Sequence, residues 1–265
     1  VKQTVQTSIE MPVLGKISVR NNLPTIGVCN PTWHGIATAT KNICDIVIPW
    51  NANPKIMVQN ILKTPSKGVV FSGMCPGFAD AAKILKHQSP TTPIYGYYHG
   101  GISHYSFSKG LFGAGERNAF QEMVNLHKRG VFRKIAVSSP GLAETLVANG
   151  LRSEFCGNIY KGSFKNNKPL SGFNIGNWNR HHDHKHTSVA IGAHQLLPNS
   201  ILHCLSGAPM IPGLNYESII EYREMLQEQL YDQYQKMHVN LQLSFIETFN
   251  ISVLELWAAG RPVII

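Results

Sequence analysis

Two glutamates stand with seven residues between them in Glu247-Thr248-Phe249-Asn250-Ile251-Ser252-Val253-Leu254-Glu255. Carboxylates accept hydrogen bonds from hydroxyls. A loop running into a helix adds backbone N–H donors and the positive end of the helix dipole, a combination that suits a diphosphate. By pattern Glu247 falls in the loop after a strand and Glu255 about one turn into the next helix. Glu255 is thus set to accept from ribose hydroxyls and Glu247 from sugar hydroxyls, with the backbone of Asn250, Ile251, Ser252 and Val253 opening the helix between them. Asn250 at the turn is compatible with left-handed backbone angles, which asparagine tolerates better than most residues.

A second set of charges follows a strand pattern ending in Phe173-Asn174-Ile175-Gly176-Asn177-Trp178-Asn179-Arg180, with Lys185 on entry to a helix. An arginine fork beside a lysine point charge makes a diphosphate clamp and can neutralise charge developing on a leaving nucleotide. The same stretch holds His181, His182, Asp183, His184 and His186. Imidazole and carboxylate are good zinc ligands, but adjacent histidines lack the i, i+4 spacing that preorganises a site. A solvated polar loop and no metal are therefore expected. Two further strand ends carry glycines: Pro93-Ile94-Tyr95-Gly96-Tyr97-Tyr98-His99-Gly100-Gly101, and Asn30-Pro31-Thr32-Trp33-His34-Gly35-Ile36. Gly100 and Gly101 let the backbone approach a ligand closely.

These residues must be held by something, and the periodicity says what. Short apolar runs alternate with helical patterns, the mark of an α/β sheet with crossover helices. Strands are expected at Thr25–Cys29, Asp45–Trp50, Gly68–Ser72, Pro93–Tyr98, Lys134–Ser138 and Glu154–Ile159. Helices are expected near Ala37–Ile43, Pro54–Lys63, Phe78–His87 and Glu116–Lys128, and between a Ser139 cap with Pro140 behind it and a Gly150 stop. A polar Gly/Asn/Lys-rich stretch, Tyr160–Lys168, reads as a linker. The rhythm then restarts with strands Gly172–Gly176, Ser200–Leu205, Val239–Phe245 and Pro262–Ile265, and helices Lys185–Leu197, Tyr216–Met237 and Ser252–Ala259. The expectation is two Rossmann-like α/β domains, residues 1–165 and 166–265. The second is expected to be incomplete because the chain stops in mid-strand.

Bulk properties narrow the partners. Net charge is +9 and charged residues are 15% of the chain. A basic balance suits anionic partners, but the charges are scattered without a Lys/Arg block, which argues against nucleic acid. No apolar run approaches the roughly 20 residues of a membrane helix. Five widely spaced cysteines without a Cys-x-x-Cys point to a reducing, cytoplasmic setting. The basic first domain leaves peripheral contact with a membrane as a further expectation.

Taken together, the run from Glu247 through Leu256-Trp257-Ala258-Ala259-Gly260-Arg261-Pro262-Val263-Ile264 resembles the C-terminal domain of the retaining glycosyltransferases of family 4, the "group 1" type with the GT-B fold. Arg180 and Lys185 keep the family's five-residue interval. Asn250, Asn179 and His186 stand where the family usually has glycine. The resemblance implies that His99 faces the transferred sugar and that Gly35 lies beside the donor phosphate and the acceptor. It makes His99, Glu247, Arg180 and Lys185 catalytic, and Gly35, Gly100, Asn250, Ile251, Ser252, Val253 and Glu255 donor-binding. It also implies retention of anomeric configuration. The nucleotide-sugar donor is then a substrate, the acceptor is a glycan, lipid or small molecule, and no cofactor or obligate metal is needed. The same residues leave two alternatives open: a nucleotide-sugar epimerase of this fold, and a non-catalytic nucleotide-sugar-binding protein.

Overall fold

The computed structural model describes residues 23–100, 111–157, 167–179, 185–223, 225–244 and 251–265. The first half forms a six-stranded parallel sheet from β1 (Thr25–Cys29), β2 (Ile46–Pro49), β3 (Gly68–Ser72), β4 (Ile94–Tyr98), β5 (Lys134–Val137) and β6 (Ser153–Phe155). Between them run α1 (His34–Ile43), α2 (Pro54–Leu62), α3 (Phe78–Gln88), α4 (Leu111–Lys128) and α5 (Pro140–Ala148). The spatial order is β2-β1-β3-β4-β5-β6. The chain therefore steps outward from β1 to β2 and then returns to the other side of β1 with β3.

Local chemistry sets these elements. The α2 helix starts where the Asn53 side chain accepts from the Lys55 amide at 3.0 Å, with Pro54 behind it. Ser139 does the same for α5, accepting from the Leu142 amide at 3.4 Å, and Gly150 leaves the helix region at φ 76°. Strands flanked on both sides read as continuous apolar runs because both faces are covered. Ile26, Val28, Val69 and Phe71 are completely buried, and the Phe71 ring meets Phe78 of α3 edge-on at 5.2 Å. Gly27 is required in β1: a Cβ there would lie 2.5 Å from Thr40 Cγ2 and 2.8 Å from Cys44 Sγ, so its absence lets α1 settle close to the sheet.

The second sheet is also parallel and contains β7 (Phe173–Asn177), β8 (Ser200–Leu205), β9 (Ile219–Tyr222), β10 (Val239–Leu241) and β11 (Val263–Ile264). Its helices are α6 (Thr187–His194), α7 (Gln227–Lys236) and α8 (Ile251–Ala258). The order β11-β10-β7-β8-β9 places the first strand of the half in the centre. One expected element is corrected here. The single helix over Tyr216–Met237 is instead the edge strand β9 followed by α7. Ile219 and Ile220 pair with Leu202 and His203 in the register of β8, and ladder hydrogen bonds plus β-branched packing outweigh the helical periodicity. Other differences are at element ends: α4 begins five residues earlier than expected, and α6 is shorter than Lys185–Leu197. Of the linker Tyr160–Lys168, only residues 167 and 168 lie within the described residues.

Candidate functional site

In a parallel sheet every strand ends on the same edge, and ligands settle beyond that edge where the strand order reverses. In the second sheet the reversal lies between β7 and β10, because the chain runs outward through β8 and β9 and returns with β10. Lys185 lies in the connection leaving β7, directly before α6, and Ile251, Ser252 and Val253 form the first turn of α8, which follows β10. These candidates thus flank one reversal point. Arg180, Glu247 and Asn250 fall in the same two connections but outside the described residues.

The β7 end is unusually polar for a buried place. Asn177 is fully buried and Asn179 is 5% exposed, with Asn179 Nδ2 donating to Asn177 Oδ1 at 3.0 Å. Among the described residues Asn177 Nδ2 has no hydrogen-bond partner. A buried amide donor left unpaired costs stability, and here it sits at the strand end that the sequence marks for ligand binding. Nearby, Trp178 Nε1 donates to Asn240 Oδ1 at 2.8 Å, tying β7 to β10. Gly176 makes this bond possible, since a Cβ there would overlap both partner atoms. His186 holds a left-handed backbone at φ 49°, the conformation for which glycine is suited.

Glu255 stands about one turn into α8, and its side chain is buried. Oε1 accepts from Tyr231 at 2.9 Å and Oε2 from Tyr234 at 3.5 Å, both tyrosines belonging to α7. Burial pushes its carboxyl up to about 7, while the tyrosine hydroxyls pull the other way.

In the first sheet the reversal lies between β1 and β3. Gly35 is the second residue of α1 after β1. It is exposed, and a Cβ there would meet nothing within 4 Å among the described residues. His99 and Gly100 follow β4, the strand next to β3. The His99 ring packs on Tyr97, ring centroids 4.0 Å apart, and its Nε2 lies 2.8 Å from Ser72 Oγ at the end of β3. Ser138 Oγ reaches the His99 carbonyl at 3.5 Å. Desolvation holds the imidazole neutral, its pKa lowered to about 3. Gly100 is sterically required, because a Cβ would strike the Tyr98 ring.

Ser72, Thr40, Asn177, Tyr231 and Tyr234 belong to no motif legible in the sequence. The available signal was a hydroxyl or amide at a strand or helix position otherwise reserved for apolar side chains. Among the described residues no three His, Cys, Asp or Glu side chains come together as a metal set; His181, His182, Asp183 and His184 lie outside those residues. No described helix is long and apolar enough to cross a membrane. A depression of about 610 Å³ on the opposite edge of the first sheet, lined by Lys86, His127, Lys128, Arg133 and Arg152 among others, includes none of the candidate residues. Lys86, His127 and Lys128 occupy the last turns of α3 and α4, where cations complement the helix dipole.

No family model matches the chain, and no curated protein matches it. Solved structures do. Sucrose-phosphate synthase from Thermosynechococcus elongatus is 12% identical with a TM-score of 0.55, over 79% of this chain and 58% of that one. S. aureus TarM, a G117R variant in complex with fondaparinux, α-GlcNAc-glycerol and UDP, is 13% identical with a TM-score of 0.57, over 79% and 44%. The trehalose-6-phosphate synthase OtsA is 11% identical with a TM-score of 0.52, over 80% and 60%. The chain spans about half the length of these structures. At such identities the likeness shows the fold: α/β with Rossmann-like parallel sheets, of the GT-B kind.

Proposed function

We propose that the protein is a glycosyltransferase that moves a sugar from a nucleoside-diphosphate sugar to a glycan, lipid or small-molecule acceptor, with retention, as the family 4 resemblance implies. The observation that carries this reading is the convergence of Lys185 and the first turn of α8 on the strand-order reversal between β7 and β10. The fold likeness to sucrose-phosphate and trehalose-phosphate synthases and to TarM supports it.

In this reading Lys185 and Arg180 clamp the diphosphate and offset charge on the leaving nucleotide. The amides at the start of α8 bind the same group, Glu247 accepts from the sugar, and His99 contacts the sugar from the first sheet. Among the described residues no carboxylate stands as an obvious nucleophile. The family 4 resemblance implies attack on the sugar's own face, assisted by the donor phosphate.

A second reading, a nucleotide-sugar-binding protein without turnover, is favoured by the burial of Glu255 against two tyrosines. One experiment separates the two. The full-length protein is heated with UDP-, GDP- and ADP-sugars and with the free nucleotides, beside Lys185→Ala, and transfer to water or acceptor is followed. A bound ligand stabilises the folded state. Stabilisation by one nucleotide series, lost in Lys185→Ala and accompanied by turnover, is expected. Stabilisation without turnover selects the binding protein, and no response to any donor removes the reading.

A further inference from the structure

Four cations line the depression on the edge of the first sheet where its strands begin: Lys86, Lys128, Arg133 and Arg152. Lys86 lies in the last turn of α3 and Lys128 closes α4. Arg133 and Arg152 come directly before β5 and β6, which pair with each other. No aspartate or glutamate is among the described residues that line it. Elsewhere lysines find acids: Lys67 lies 3.5 Å from Asp45, Lys83 3.2 Å from Asp80, and Lys134 2.8 Å from Glu154. Among the described residues none of the four cations at the depression has a carboxylate partner. Lys86 Nζ donates to the Pro90 carbonyl at 2.8 Å, and the other three side chains make no hydrogen bond there.

His127 is not a fifth charge. Its Nδ1 lies 3.0 Å from the Phe132 carbonyl and must carry the proton, while its Nε2 accepts from the Arg152 amide at 3.0 Å. A ring with one donor and one acceptor nitrogen is neutral. It ties the end of α4 to the start of β6, so the floor is held in place. Helix dipoles account for part of the positive charge. The ends of α3, α4 and α5 border the depression, and each carries about half a negative charge. Four side chains exceed that demand by about two positive charges. The amides of Gly130, Val131, Arg133 and Leu151 are already spent on carbonyls, so side-chain charge is what this place offers an anion.

We infer that this depression binds a phosphate monoester, apart from the strand-order reversals where the sugar donor is placed. Its volume of about 610 Å³ is that of a small-molecule site. A phosphate monoester carries about −1.5 to −2 at pH 7, close to the unmatched positive charge. The guanidinium forks of Arg133 and Arg152 suit its oxygens. Pro93 and Val131, both half-buried in the lining, give apolar surface to the organic part. The same group arrives on a soluble ester or on a lipid headgroup that reaches into the depression.

The test is calorimetric titration of the full-length protein with glycerol 3-phosphate, beside phosphatidylcholine vesicles containing phosphatidic acid. Wild type is expected to bind at millimolar concentration or below, and added salt weakens binding because the contacts are exposed. The double variant Arg133→Gln, Arg152→Gln is expected to lose about tenfold or more in affinity. Both arginines are exposed, so this variant keeps the fold, and without ligand it is expected to melt no lower than wild type. Lys185→Ala, altered at the proposed donor site, is expected to bind the probe as wild type does. A response to the soluble ester, lost in the double variant, assigns the site to a free phosphate. A response to the vesicles alone, lost in the same variant, assigns it to a headgroup. Binding of neither probe by wild type, binding unchanged in the double variant, or loss in Lys185→Ala alone overturns the inference.

Discussion

The His203 Nε2 atom lies 2.8 Å from Asn174 Oδ1, and the asparagine is pinned so that only its oxygen can face the ring. Asn174 Nδ2 donates to the Ser171 and Gly172 carbonyls at 2.9 and 3.1 Å. His203 therefore carries its proton on Nε2, and its Nδ1 accepts from Tyr222 at 2.8 Å. This buried chain joins β7, β8 and β9 through one neutral imidazole, whose pKa is lowered to about 4 by desolvation.

Breaking that chain has a graded cost. Tyr222→Phe leaves His203 Nδ1 without this donor and is expected to cost about 1 kcal/mol. Asn174→Asp turns a carboxylate oxygen toward backbone carbonyls and is expected to cost about 2 kcal/mol or more. Urea titration of each variant against wild type measures both. Equal effects would contradict the orientation assigned to Asn174.

The pH response of His203 has a definite sign. A histidine whose folded pKa lies below its ordinary value of 6.5 contributes stability that is present above 6.5 and lost as pH falls toward about 4. His99, lowered to about 3, acts in the same direction. Replacing His203 with Gln is expected to flatten the acid limb of a stability profile between pH 6.5 and 4. An unchanged slope would show that the imidazole titrates freely.

Glu255 pulls the opposite way. A carboxyl raised from 4.5 to about 7 binds more protons folded than unfolded between those values, so its contribution falls as pH climbs through that window and is flat above it. The difference is on the order of 3 kcal/mol. Glu255→Gln keeps an acceptor for Tyr231 and removes the buried ionisation, so the variant is expected to be more stable than wild type at pH 8 and closer to it at pH 5. Thermal melts at the two pH values decide.

Backbone strain at His186 can be isolated from its side chain. His186→Ala and His186→Gly both delete the imidazole, but only glycine relaxes a φ of 49°. The glycine variant is expected to exceed the alanine variant by about 1 kcal/mol. Equal stabilities would mean that the turn after Lys185 rearranges on substitution.

Trp178 reports on the β7–β10 contact. Gly176→Ala forces a methyl group onto the Trp178–Asn240 hydrogen bond and is expected to destabilise by about 2–4 kcal/mol. Tryptophan emission should shift to the red as the indole loses its buried partner. A variant as stable as wild type would place Trp178 elsewhere in solution.

Much of the fold was legible because parallel strands covered on both faces leave unbroken apolar runs. Gly68–Ser72 and Ser200–Leu205 coincide with β3 and β8. The segment between Tyr216 and Met237 misled because it contains no glycine or proline. Its Ile219-Ile220 pair reads as part of a helical face until β8 is there to pair with it. The burial of Glu255 was illegible for a related reason: it depends on Tyr231 and Tyr234, on a helix whose docking no local pattern encodes. Ser72 and His99 are 27 residues apart and meet only because β3 and β4 are neighbours. Lys185 and the start of α8 could be placed from the sequence because strand ends and helix starts have local signatures.

The two strand orders also set a schedule for synthesis. All described strands of the first sheet are complete once Phe155 has been made, so that half can close while the ribosome is still working. The second half cannot. Its central strand β7 is finished at Asn177, but the partner on one side, β10, begins only at Val239. For the translation of some sixty codons, β7 carries an unsatisfied edge beside the emerging chain. A nascent chain of this protein is therefore most exposed to mispairing, and most dependent on chaperone cover, after the first half has folded and before Leu241 emerges.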